Sequence, residues 1–226
     1  ALSARGAAMA KGWVGSLTLG VGQFCTNPGV VIGLAGPDLD GFVAAAVDAA
    51  AGGTPQPMLT TGIAQAYRAA LDARGGADLK TTPGAGDNAH PAIYVVDGAR
   101  WRADDSLRHE VFGPAGVVVG CADQAEMVAI AQELEGQLTA TLQMDDADLP
   151  LAAELTPILM RKAGRLLRNG FPTGVEVCGA MMHGGPYPAS TESRTTSVGS
   201  LAIQRFLRPI AFQDFHADLL PTSLRR

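Results

Sequence analysis

The chain is 226 residues long, 47% hydrophobic and 17% charged, with a net charge of −5 at neutral pH. That balance describes a globular chain able to bury a core, not a disordered one. No dense Lys/Arg block occurs apart from Arg225-Arg226, which speaks against a nucleic-acid partner or a polybasic membrane anchor.

No apolar run approaches the roughly 20 residues of a membrane span. The longest candidate, from Val14 to Val21, is broken by Gly15, Ser16, Thr18 and Gly20. A basic stretch followed by an apolar core and a cleavage site is also missing from the start. Three cysteines, Cys25, Cys121 and Cys178, cannot all pair within the chain, so a reducing, cytoplasmic setting is expected. The chain opens on Ala1-Leu2-Ser3 and runs straight into a helical pattern, as a piece of something longer would.

In chain order, Leu2, Met9, Trp13, Val14 and Leu17 recur at helical intervals over residues 2–19. Gly20-Val21-Gly22 should break that helix, and residues 23–29 read as a tight loop. Val30 to Leu34 reads as a short buried strand. A helix should start at Pro37-Asp38-Leu39-Asp40, with carboxylates in its first turn, and stop at Gly52-Gly53. A second helix is expected over residues 61–74, ending at Gly75-Gly76. Ala92 to Val96 and Gly116 to Cys121 read as strands, Gln124 to Leu134 as a helix, and Leu138 to Gln143 as a strand. Residues 150–163 read as helical, divided at Pro157, before a return strand from Gly164 to Asn169.

Apolar strands alternating with helices predict an α/β fold, a largely parallel sheet with helices on both faces. From Gly184 the chain turns polar and Pro-rich, then offers a short helix from Leu201 to Phe206. The extended segment from Pro209 to Gln213 reads as an edge strand suited to pairing with another chain, a C-terminal oligomerisation strand.

Cys25 carries the strongest chemical signal. It lies in a loop between a helix and a strand, flanked by Gln23, Thr26 and Asn27, with Gly22 and Gly29 freeing the backbone. A thiolate is a strong nucleophile, and backbone N–H groups with an adjacent side-chain amide can hold the oxyanion formed when it adds to a carbonyl. An arbitrary cysteine is more often a small buried hydrophobe, the reading kept for Cys121 and Cys178.

The stretch Gly22-Gln23-Phe24-Cys25-Thr26-Asn27-Pro28-Gly29 resembles the active-site cysteine loop of the aldehyde dehydrogenase superfamily. His109-Glu110-Val111-Phe112-Gly113-Pro114 resembles the family's glutamate–x–phenylalanine–glycine–proline signature, and Gly184-Gly185 follows in the family's order. Two further stretches resemble the 2,5-dioxopentanoate (α-ketoglutaric semialdehyde) dehydrogenases and the related NADP-dependent fatty aldehyde dehydrogenases. These are Asn169-Gly170-Phe171-Pro172-Thr173-Gly174-Val175-Glu176-Val177 and His183-Gly184-Gly185-Pro186-Tyr187-Pro188-Ala189-Ser190.

The resemblance implies NAD(P)-dependent oxidation of a small-molecule aldehyde to a carboxylate through a cysteine thiohemiacetal and thioester, with NADP or NAD as cofactor. Glu110 would accept hydrogen bonds from the nicotinamide ribose hydroxyls and Phe112 would pack near the nicotinamide. Phe24, Gln23 and Asn169 would line the substrate pocket, although Asn169 reads equally well as a strand-end cap. His183 stands where much of the family has an aromatic residue. It either tunes Cys25 and moves its proton or is satisfied by the loop backbone. His90 and His216 have no comparable context.

The family's general-base glutamate and its nucleotide-binding domain would precede Ala1, and no Gly-x-Gly-x-x-Gly occurs in residues 1–226. The expected organisation is a catalytic domain over residues 1–190 and a linker with an oligomerisation segment over 191–226. A homo-oligomer (dimer or tetramer) is implied, with no nucleic-acid or membrane partner. No metal site is indicated. The competing readings are a fatty aldehyde dehydrogenase of the same branch, a non-catalytic oligomerisation module and a reductase of acyl phosphates or thioesters.

Overall fold

The computed structural model describes residues 1–75, 77–172 and 174–225. Gly76 of the second helix end, Thr173 of the branch stretch and Arg226 lie outside the described residues.

Helix α1 (Leu2–Thr18) buries Met9, Ala10, Trp13, Val14 and Leu17, a stripe at helical spacing. It ends as expected: a 3-10 turn over Leu19–Gly22 carries positive φ at Gly20, Val21 and Gly22. Strand β1 (Val30–Leu34) leads into α2 (Pro37–Ala51), which has Pro37 in its first turn together with Asp38 and Asp40. A two-residue strand β2 (Gln56–Pro57) precedes α3 (Thr61–Ala73), whose Thr60 side chain accepts from the Ile63 N–H at 3.2 Å. The short strands β3 (Asp78–Leu79) and β4 (Asn88–Ala89) come before β5 (Ala92–Asp97). Helix α4 (Gly98–Ala103), strand β6 (Ala115–Cys121) and helix α5 (Gln124–Glu133) follow. Strand β7 (Gln137–Leu142), helix α6 (Leu149–Leu159) and strand β8 (Ala163–Arg168) complete the regular elements.

The main sheet has the order β1-β6-β5-β3, with β6 parallel to both of its neighbours and β3 antiparallel to β5. Side chains alternate across it. Val117, Val119 and Cys121 pack with Tyr67, Trp101 and Ile130 on the α3–α4–α5 face. Val118 and Ile93 pack with Trp13, Phe42 and Leu39 on the α1–α2 face. The expected helix-covered α/β sheet is therefore present.

It departs from expectation in four places. Strands β7 and β8 form a separate two-stranded parallel sheet instead of extending the main one. Strand β1 is only partly buried, with Val30 40% exposed, because it is an edge strand among the described elements. Helix α6 runs unbroken through Pro157, which falls in its last turn, where a missing donor costs one bond instead of splitting the helix. Residues 209–213 are exposed and form no strand within the chain, since a strand exists only by pairing. Leu201 to Phe206 is a 3-10 helix, Ser200–Phe206.

Two loops lead into the amino ends of adjacent parallel strands, and the register Val30↔Val117 sets them side by side. One carries Cys25 and precedes β1; the other carries Glu110 and Phe112 and precedes β6. Their backbones touch. Gly22 sits at φ +67°, and a Cβ there would overlap the Gly113 carbonyl and the Pro114 nitrogen. Asn27 locks the contact, donating from Nδ2 to the carbonyls of Leu17 (3.1 Å), Gly22 (3.0 Å) and Gly113 (3.4 Å). From the helix side, the Trp13 indole donates to the Pro28 carbonyl at 2.8 Å.

Gly22→Ala should lower the unfolding free energy by about 1–3 kcal/mol, through left-handed strain and lost backbone contact. Gly15→Ala should do the opposite, by about 0.5–1 kcal/mol, because Gly15 is an exposed mid-helix position with nothing within 4 Å of an added Cβ. Denaturant unfolding of the two variants, read side by side, checks the difference in sign.

Candidate active site

Cys25 is an exposed free thiol on the loop held by Gly22 and Asn27. Its Sγ lies 3.1 Å from the Nε2 of His183, 158 residues away in sequence. The two side chains share a cavity of about 390 Å³, whose other walls include Leu138, Pro188 and Ala189 and the cation Arg205.

His183 is fixed from its backbone. Its N–H donates to the Thr196 hydroxyl at 2.8 Å, and its carbonyl accepts from both the N–H (3.0 Å) and the hydroxyl (2.8 Å) of Ser197. The two glycines after it let the loop lie flat on the amino ends of β7 and β8. A Cβ at Gly185 would overlap the Gln137 carbonyl, and one at Gly164 would overlap the Gly184 carbonyl. The second sheet thus delivers the histidine, and the first delivers the thiol.

Burial first, then the positive field of Arg165, holds the imidazole below its ordinary value of 6.5. At pH 7 the ring is neutral and can take a proton from the thiol. Its Nδ1 is buried with no partner among the described residues, so no second group fixes the ring tautomer. Of the other two cysteines, only Cys121 is the buried structural thiol expected. Cys121 is fully buried, and burial, with Glu126 and Asp123 adding to it, pushes its thiol up to about 11. Cys178 is half-buried.

The remaining site expectations divide. Glu110 is exposed and forms no ion pair among the described residues, and Phe112 beside it is 42% exposed. Both stand on the loop pinned at Gly113, and Arg74 holds the start of that loop by donating to the His109 carbonyl at 2.9 Å. The three expected pocket residues are not brought to the cavity. Gln23 spends its amide on the backbone, donating to the Gly20 carbonyl and accepting from the Leu59 N–H, each at 3.0 Å. With Asn27 likewise committed, neither amide beside Cys25 is left to hold an oxyanion. The Phe24 ring lies over Gly20. Asn169 caps the end of β8 at φ +55°, exchanging 2.8 Å hydrogen bonds with the Met144 backbone in both directions. Phe171, in the branch stretch, packs on Gly12 of α1.

Sequence reasoning missed Asn27 as a clamp, Arg74 as the anchor of the Glu110 loop, and Arg205. The Asn-Pro-Gly turn hinted at the first. Arg74 and Arg205 gave no local signal, because both act across long sequence separations.

No family model matches the chain. Two curated proteins match it from end to end. The α-ketoglutaric semialdehyde dehydrogenase 2 of Azospirillum brasilense is 53% identical over 236 residues, and the α-ketoglutaric semialdehyde dehydrogenase of Acinetobacter baylyi is 44% identical over 232. Each match covers 100% of this chain and 44% of the relative, so the chain spans less than half the length of the curated relatives it matches. Among solved structures, a putative methylmalonate-semialdehyde dehydrogenase from Sinorhizobium meliloti, complexed with NAD, superposes with a TM-score of 0.72 at 17% identity, covering 88% of this chain and 43% of the other. The γ-glutamyl-γ-aminobutyraldehyde dehydrogenase of Burkholderia cenocepacia gives 0.69 at 22%, covering 88% and 41%. At such identities the structures speak for the fold alone. Over its whole length the chain is similar to aldehyde dehydrogenases. The two curated proteins named here are both α-ketoglutaric semialdehyde dehydrogenases.

If His183 accepts the thiol proton, His183→Phe should slow Cys25 alkylation at pH 7 and move the alkylation midpoint to higher pH, because the thiolate loses its nitrogen partner. Rates of iodoacetamide labelling across pH 5 to 9, on parent and variant, check this. Superimposable profiles would return His183 to a purely structural place.

Proposed function

We propose that this chain is the thiol-bearing portion of an NAD(P)-dependent aldehyde dehydrogenase that oxidises 2,5-dioxopentanoate to 2-oxoglutarate. The observation that carries the reading is the 3.1 Å contact of Cys25 Sγ with His183 Nε2 inside a cavity of small-molecule size. The names of the two curated relatives support the substrate.

In this reading the neutral His183 ring takes the thiol proton, and the Cys25 sulfur adds to the aldehyde carbon, turning its C=O into an oxyanion. A bound nicotinamide cofactor supplies the hydride acceptor. Water then adds to the resulting thioester, breaking the C–S bond and releasing the carboxylate. The base for that water is expected outside this chain.

The exposed Glu110–Phe112 pair fits one end of such a cofactor: an acceptor-only carboxylate for ribose hydroxyls and a ring for the nicotinamide face. One carboxylate and one ring do not hold a dinucleotide, so the rest of its site belongs to a separate nucleotide-binding domain. We place the catalytic unit at residues 1–190 and a linker with an oligomerisation segment at 191–226, the linker also contributing Ser197 and Arg205 to the cavity wall and the Thr196 hydroxyl that holds the His183 backbone. The exposed Phe206, Leu207, Ile210 and Phe212 favour self-association of that segment.

Cys25→Ser in the full-length enzyme should cut turnover roughly a thousandfold or more while leaving cofactor affinity in place. Steady-state turnover beside calorimetric cofactor binding checks it, and substantial residual oxidation would remove Cys25 from the nucleophile's role. Glu110→Gln should slow single-turnover hydride transfer by roughly tenfold or more, the worth of a hydrogen bond to a charged acceptor. The equilibrium affinity for the cofactor should fall by less than that. Stopped-flow absorbance at 340 nm reads the transfer directly, and an unchanged rate would make Glu110 an ordinary loop carboxylate.

A further inference from the structure

Arg205 lies on the 3-10 helix Ser200–Phe206, in the polar C-terminal stretch, and lines the same cavity as Cys25 and His183. It is exposed, and among the described residues it makes no hydrogen bond and no ion pair. The nearest competitor for its charge is Glu192, whose carboxyl Arg194 holds down at about 2, with Arg205 adding only a minor pull. Arg194 grips that carboxylate with Nε at 2.9 Å and Nη2 at 2.8 Å, so Glu192 is already satisfied.

The rest of the cavity wall is neutral. Leu138, Pro188 and Ala189 are apolar, Ser190 and Ser197 spend their hydroxyls on backbone carbonyls, and the His183 ring is uncharged at pH 7. Arg165, whose field reaches His183, is tied by its guanidinium to the carbonyls of Pro172 and Gly174. A chain of net charge −5 therefore has, lining the cavity that holds its exposed thiol, one arginine with no partner among the described residues.

We infer that Arg205 is a specificity-determining residue that binds a carboxylate on the far end of the aldehyde substrate while Cys25 meets the aldehyde carbon. A guanidinium takes a carboxylate in a two-pronged hydrogen bond and fixes its direction, which a neutral wall cannot do. An aldehyde acid, the class of the proposed substrate, would match that charge, and a plain aliphatic aldehyde would leave it unmatched. This rests on the proposed nucleophilic role of Cys25.

The test uses the full-length enzyme and two reagents of nearly equal shape, iodoacetate and iodoacetamide, with Cys25 labelling followed by mass spectrometry. Arg205→Gln should slow iodoacetate labelling about threefold or more, the effect of one exposed charge, and leave iodoacetamide labelling unchanged. Arg205→Lys should keep most of the iodoacetate rate, and raised salt should erase the difference. In turnover, the kcat/KM preference for succinate semialdehyde over butanal should fall about tenfold or more in Arg205→Gln. Equal behaviour of the two reagents in parent and variant, or an equal slowing of both in the variant, would overturn the role of Arg205 and leave the thiol reading standing. A parent enzyme in which neither reagent labels Cys25 would overturn the thiol reading itself.

Discussion

The backbone contact between Gly22 and Gly113–Pro114 is the constraint on which the site depends. Adjacent parallel strands must begin at the same edge of a sheet, so β1 and β6 bring their lead-in loops together by topology. Topology alone leaves the loops free to splay. The missing Cβ at Gly22 lets the chains meet, and Asn27 spends one amide group on three carbonyls, from the helix, its own loop and the neighbouring loop. Removing that amide would leave those carbonyls to find water, and Cys25 and Glu110 would lose their common frame.

The second half of the site obeys the same rule on a second sheet. Strands β7 and β8 are also parallel, and the glycines after His183 seat its loop on their amino ends. Open α/β sheets commonly place ligands at the carboxyl ends of their strands. Here the Cys25–His183 contact forms where the amino ends of two sheets approach. The single sulfur–nitrogen contact across that seam joins elements that share no ladder.

What could be read in the sequence follows from range. Helix starts and stops were legible because their causes are local: Pro37 with Asp38 and Asp40 opens α2, and Gly20 to Gly22 closes α1. Cys25 stood out because its loop is a contiguous pattern. The separation of β7 and β8 into their own sheet was not legible, since hydrophobic alternation does not say which strand lies beside which. Nor were the directions of Gln23 and Phe24, each next to the thiol yet turned to its own loop backbone. Asn169, in a left-handed conformation, points its amide back to Met144, which is the strand-end cap, one of its two expected readings.

Cys25, Phe24, Glu110 and Phe112 are all exposed, away from both faces of the main sheet. A thiolate chemistry carried out on an open face would compete with water for every charged intermediate, and preorganised polar groups are worth most where water is excluded. This face therefore reads as one wall of a closed site instead of a whole one. In the proposed function, an opposite wall would hold the dinucleotide, activate a water and supply oxyanion donors other than the Gln23 and Asn27 amides, which are committed to backbone partners. Under that proposal, a nucleophile fixed by backbone clamps would stay in place while a cofactor-bearing surface shifted against it. Rigid thiol and movable acceptor are compatible only if, as here, the clamps on the cysteine loop come from its own domain.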